Sequence, residues 1–180
     1  MGKCALLILH EKFEEIEAVV VIDVLRRAEV EVCIVSVGQE RLVHGAHGLA
    51  IKADRDLAQC DPAAFDALII PGGPGIFAVR GDKKIAEVIG AFAENKRIIG
   101  AICAAPLLLN DCNLLFNRHY TAHFSVCEEL KHAQSGKAIM EDGNLITANG
   151  PGAAFLFALA LARRLVDTSK VNTVARNMCY

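Results

Sequence analysis

Five short runs rich in valine, isoleucine and leucine, at residues 4–9, 30–37, 67–70, 97–103 and 145–147, are mostly separated by segments long enough for a helix. Runs of this length read as strands, and their alternation with helices predicts a parallel sheet. Parallel strands are buried on both faces, which demands a high apolar content. The chain meets that demand, with 53% hydrophobic residues among 180, a length that fits one domain spanning residues 1–180. The longest purely apolar run, 153–162, has ten residues and ends in Arg163-Arg164. A membrane-spanning helix needs roughly 20, so this run reads as a buried helix.

The first residues carry one lysine and a short apolar stretch without a small-residue cleavage site, so they read as a strand rather than a signal peptide, and a cytoplasmic protein is expected. Nineteen basic against 21 acidic side chains leave no basic surplus, which speaks against a nucleic-acid partner. Seven cysteines, at 4, 33, 60, 103, 112, 127 and 179, contain no Cys-x-x-Cys pair. Neither a disulfide framework nor a metal site is indicated, and most free cysteines of this kind are buried hydrophobes.

A first helix is expected from Glu14 to Arg27, with Glu14, Glu15 and Glu17 at the positive end of its dipole and Arg26-Arg27 at the negative end. Its stretch Ala18-Val19-Val20-Val21-Ile22 is apolar around more than one face. Two readings account for this, a homodimer contact and a deeper core of the monomer, and the first is favoured. Hairpins are expected at 41–51 and at 137–147 around Asp142-Gly143-Asn144, and a strand at 118–122. Pro151 should open a helix running to Leu165.

Cys103 lies where the run 97–103 gives way to the helix-like Ala104-Ala105-Pro106-Leu107-Leu108-Leu109. A nucleophile elbow needs small neighbours at such a corner, and Ala101 and Ala105 provide them. Main-chain N–H groups at a helix start, that of Ala104 included, would lower the thiol's pKa. On these residues alone a reactive and a core reading of Cys103 stand about even. A doubly wound, flavodoxin-like sheet in the order 2-1-3-4-5 would bring three loops together at its switch point: Glu14–Glu17, Pro71-Gly72-Gly73-Pro74-Gly75, and Cys103. Gly72 and Gly73 could then direct N–H groups at an oxyanion, although most such glycine runs are simply turns. Glu17 reads either as an exposed helix-dipole carboxylate or, pointed inward, as a proton shuttle of raised pKa. His123 is the best-situated imidazole; His10, His44, His47, His119 and His132 have no better claim.

The combination Glu14-Glu15-Ile16-Glu17, Pro71-Gly72-Gly73, Ala101-Ile102-Cys103-Ala104-Ala105-Pro106, Thr121-Ala122-His123 and Asn149-Gly150-Pro151-Gly152 resembles the DJ-1/ThiJ/PfpI superfamily, most closely its DJ-1 and YajL branch. The resemblance implies an oxidation-sensitive nucleophile at Cys103, a protonated acid at Glu17, a nearby imidazole at His123 and a backbone cradle at Gly72, Gly73 and Ala104. It also implies a homodimer in which Asp23 reaches toward the neighbouring subunit. Two departures matter. Ala104 replaces the histidine that follows the cysteine in the protease-like branch, and Ala46-His47-Gly48 stands where many relatives read Ser-Arg-Gly, removing a guanidinium that could meet an anion.

Two functions follow from this likeness. One is a cofactor-independent enzyme acting on small reactive aldehydes such as methylglyoxal or its adducts, of the glyoxalase or deglycase type and not a protease. The other is a non-catalytic stress sensor or protective chaperone in which Cys103 is oxidised to a sulfinate. A glutaminase, which shares such an elbow, would need a Cys-His-Glu triad and a second domain that uses the ammonia.

Overall fold

The computed structural model describes residues 2–180. In chain order it contains β1 (Cys4–Leu9), α1 (Glu15–Arg27), β2 (Glu31–Ser36), β3 (Leu42–His44), β4 (Ala50–Lys52), β5 (Arg55–Asp56), β6 (Ala67–Ile70), α2 (Ile76–Val79) and α3 (Lys83–Glu94). There follow β7 (Ile98–Ile102), α4 (Pro106–Asp111), β8 (Ile139–Asp142), β9 (Leu145–Ala148), α5 (Ala154–Leu165) and α6 (Thr168–Asn177).

Seven strands form one sheet in the order β5-β2-β1-β6-β7-β9-β8. Its five central strands are parallel and take the expected 2-1-3-4-5 arrangement, with β8 closing one edge antiparallel to β9. Strands β6 and β9 are buried throughout, as strands covered on both faces must be. Helix α5 packs against β7, β9 and α1, while α3 lies on β6 and β7. Gly100 makes the α5 contact possible, since a Cβ there would stand 2.9 Å from Leu161 Cδ2 and 3.0 Å from Phe157 Cζ. The expected hairpins are β3–β4 and β8–β9. Among the described residues no helix is long and apolar enough to cross a membrane.

Two expectations need correction. Residues 118–122 form no strand, because their main chain bonds to side chains instead of a ladder: His119 N donates to Asp142 Oδ2 and Thr121 N to Thr147 Oγ1. Pro151 opens a single tight turn, Pro151–Ala153, before α5 begins. The apolar run of α1 divides between two sides. Ala18, Val21 and Ile22 are buried, whereas Val19 is 41% exposed and Ile16, one turn earlier, 52%. The second apolar face is thus on the outside, not in a deeper core.

Candidate active site

Strand β7 ends at Ile102 because Cys103 takes φ +65°, a left-handed conformation that a non-glycine residue adopts at a cost of about 1–3 kcal/mol. Both main-chain groups of Cys103 are tied down: its N–H donates to Ala148 O and its carbonyl accepts from His123 N, each at 2.9 Å. The chain then turns through Ala104 and Ala105, and Pro106 starts α4. Held this way, the side chain faces the loops after β1 and β6 and is 9% exposed.

Those loops close on it through glycine. A Cβ on Gly72 would stand 2.6 Å from Cys103 Cβ and 2.8 Å from Glu17 Oε2, so no other residue fits between acid and thiol. Gly72 also joins the loop to the start of α1, its carbonyl accepting from Glu14 N and its N–H donating to Glu17 Oε2 at 2.7 Å. Gly73 has φ +108° and backs onto Lys12 O, 2.5 Å from where a Cβ would be. Gly75, to which the sequence assigned no role of its own, is packed tighter still, for a Cβ there would sit 1.7 Å from Glu11 O.

The cradle differs in one respect from the sequence expectation. The Gly72 N–H is committed to Glu17, and the main-chain amides whose pull on the sulfur favours its anion are those of Gly73 and Ala104. Glu17 itself is fully buried, and its second oxygen, Oε1, has no hydrogen-bond partner among the described residues. Burial pushes the Glu17 carboxyl up to about 7, against the Gly72 N–H bond and the neighbouring Cys103 thiol, which favour the anion. Burial, the negative charge of Glu17 and its hydrogen bond push the Cys103 thiol up to about 12, with the Gly73 and Ala104 amides pulling the other way.

A lowered thiol pKa, expected from the helix start alone, therefore does not hold while Glu17 is ionised. Two buried negative charges side by side are too costly, so the pair keeps one proton between them. When Glu17 holds that proton, the repulsion disappears and its O–H can donate to the sulfur, while burial, the largest cause of the raised thiol pKa, remains. What the arrangement provides is a carboxyl group and a thiol that compete for one proton.

His123 is joined to Cys103 through the main chain. Its ring Nδ1 accepts the Ser125 N–H at 3.3 Å and meets Ser125 Oγ at 2.8 Å, which leaves the proton on Nε2. The ring stacks on the exposed Phe124 and faces Gly150, where a Cβ would approach Cδ2 to 3.1 Å. Asp23 is half-exposed on α1 and pairs with Arg27 at 2.7 Å. It follows Ile16 and Val19 along one helical stripe. His47 partly offsets the missing guanidinium: its ring lies 2.9 Å from Glu15 Oε2 and 3.7 Å from Glu14 Oε2, and bonding to Glu15 raises its pKa. The ligand-type atoms of Glu14, Glu15 and His47 lie within 4.8 Å of one another.

Missed from the sequence was Arg80, which bonds Asp111 at the end of α4 and Glu129 beyond the His123 turn. Its partners are 31 and 49 residues away, so no local pattern betrays it.

Fold and site together define a doubly wound α/β protein with a cysteine on a nucleophile elbow, its sulfur against a buried carboxyl group. More particularly, the chain belongs to the DJ-1/PfpI family, which it matches over residues 3–164. The glutathione-independent glyoxalase DJR-1.2 of Caenorhabditis elegans is 33% identical over 98% of this chain and 96% of its own length. YraA of Bacillus subtilis, whose name describes a cysteine protease, is 30% identical over 84% of this chain and 91% of its own. The crystal structure of Drosophila melanogaster DJ-1beta superposes with a TM-score of 0.93 at 32% identity, covering 99% of this chain and 98% of that one.

Proposed function

We propose that this chain is a cofactor-independent enzyme that converts methylglyoxal and related reactive carbonyls to hydroxy acids such as lactate. The observation that carries the reading is Glu17, a fully buried carboxyl packed with Cys103 around Gly72, its Oε2 held by the Gly72 amide and its Oε1 uncommitted, and pushed by burial up to about 7. A base that must take a proton from carbon and then return one works best with a pKa near the operating pH. Cys103 sulfur adds to the aldehyde carbon, its proton passing to the carbonyl oxygen, to give a hemithioacetal. Glu17 removes the hydrogen from that carbon and returns a proton to the neighbouring one through an enediol, leaving a lactoyl thioester. Water then cleaves the thioester to lactate and the free thiol, with His123 Nε2 available for proton transfer. The Gly73 and Ala104 amides are the donors best suited to the oxygen of the adduct. A peptide substrate fits poorly with a nucleophile only 9% exposed. Purified protein given excess methylglyoxal without glutathione is expected to release many equivalents of lactate per subunit. Consumption that stops at one equivalent would overturn the enzyme and favour a sensor whose oxidised sulfur is bonded by Glu17.

We also propose a homodimer built on α1. Ile16 and Val19 are exposed apolar residues on one stripe with Asp23, and a second copy of the same stripe would cover them. Sedimentation should give twice the subunit mass, falling to one subunit for Ile16→Glu/Val19→Glu; a monomeric wild type would rule the contact out.

A further inference from the structure

His10 follows β1 and is buried, 1% exposed. Both of its ring nitrogens lie against main-chain carbonyls: Nδ1 is 3.0 Å from Glu11 O and Nε2 is 3.3 Å from Pro71 O. A neutral imidazole has one N–H, so it can satisfy one of these carbonyls and must turn a lone pair to the other. Only the imidazolium donates to both. The approach depends on Gly75, since a Cβ there would stand 2.6 Å from His10 Nδ1.

The carbonyl at Nε2 belongs to the same peptide group as the Gly72 N–H, and that N–H holds Glu17 Oε2. A planar, conjugated amide therefore stands between the imidazole and the buried carboxyl group. A donor on its oxygen polarises the amide and strengthens its N–H as a donor. We infer that His10 is a positioning residue for Glu17: by giving or withholding a hydrogen bond to the Pro71 carbonyl, it sets how firmly the Gly72 amide holds the Glu17 carboxylate. It thereby sets how Glu17 and Cys103 divide their proton.

The sign follows from the chain of bonds. Protonated His10 strengthens the Gly72 donor, favours ionised Glu17 and leaves Cys103 as the less reactive thiol. Neutral His10, with its proton on the shorter Nδ1 bond, releases Pro71 O, weakens the grip and favours protonated Glu17 with thiolate. Burial holds the imidazole below the ordinary histidine range, so the change falls on the acid side of neutrality. The surroundings add little charge. The loop from Pro71 to Gly75 has no ionisable side chain, and the flanking strands reach this level with Ser36 and Ile70. Glu11 is the neighbouring charge, and its exposed carboxylate turns to His44.

The test reads the thiol itself and so does not depend on the proposed substrate. The rate of Cys103 alkylation by iodoacetamide is followed from pH 5 to 9 in wild type and in His10→Gln, which cannot ionise. On the acid limb wild type should lose reactivity in two protonation events and His10→Gln in one. Relative to its own rate at pH 8, the variant should then react several-fold faster than wild type at pH 5.5. Superimposable profiles would overturn the inference. Because the variant could be perturbed in fold, wild type supplies a second reading: in an NMR pH titration the Gly72 amide signal should move with the His10 imidazole. A Gly72 signal that stays still while His10 titrates would overturn it as well.

Discussion

Replacing Cys103 by serine is expected to lower methylglyoxal turnover by about 10³-fold or more while leaving the fold in place. The size of the effect comes from the pocket rather than from the loss of sulfur alone. Burial and the Glu17 charge push even a thiol up to about 12, and a hydroxyl group, intrinsically a far weaker acid, has no route to an anion there. Oxygen is also smaller than sulfur and the C–O bond shorter than C–S, so the introduced hydroxyl would lie farther from the Gly73 and Ala104 amides whose pull favours the anion. The fold should survive because what fixes the elbow is main chain: the bonds to Ala148 O and from His123 N, together with the glycine contact at 72, which are indifferent to the atom beyond Cβ. Cys112→Ser and Cys127→Ser serve as controls and should keep wild-type turnover. Steady-state kinetics on the three variants, with circular dichroism to confirm folding, decide the matter. A folded Cys103→Ser protein with more than a tenth of wild-type turnover would exclude sulfur as the nucleophile.

The parts of this molecule that the sequence displays are those whose cause is local. Valine and isoleucine runs of strand length, with helix-length gaps, lead to β1, β2, β6, β7 and β9 because the period and the burial of a parallel strand are written in the run itself. The elbow is legible for the same reason, since alanines on both sides of Cys103 and a proline three residues on are adjacent in sequence. What escaped depends on contacts between distant residues. His119, Tyr120 and Thr121 have the composition of a strand, yet Asp142 and Thr147 take up the N–H groups that a ladder would need. Helix α6 is polar apart from a few positions such as Val171, Val174 and Ala175, too thin a stripe to announce itself. Gly72 was legible as a close-approach glycine, but its N–H goes to a carboxyl group 55 residues away. His10 looked like an ordinary histidine at the end of a strand. Its significance lies in Pro71 O, 61 residues on. The Cys103 thiol is pushed up for a like reason: burial first, and then the Glu17 charge, come from residues far along the chain, whereas the helix-start amides that pull it down are local.

Glu17→Gln should separate the two roles of this side chain, as proton carrier and as buried charge. The amide keeps an oxygen to accept the Gly72 N–H and has nearly the same shape, so the cradle should remain. It cannot move a proton between carbons, and turnover should fall by about 10²–10⁴-fold. The second consequence concerns stability. The carboxyl group rises from its ordinary 4.5 to about 7 on folding, so the native state binds this proton more tightly than the unfolded chain does. The stabilising contribution is complete below pH 4.5, declines as pH rises and is lost through about 7, where the group must ionise while buried. The interval corresponds to about 3 kcal/mol. Glutamine carries no such proton, so the variant should gain on wild type by roughly that amount between pH 4.5 and pH 8. Cys103 adds no comparable slope there, because a thiol raised to about 12 stays protonated wherever Glu17 is ionised. Urea denaturation of both proteins at the two pH values measures the difference directly. Parallel curves would mean that Glu17 meets water or a counter-charge when ionised, and would remove the buried, near-neutral carboxyl group on which both the proton shuttle and the shared proton rest.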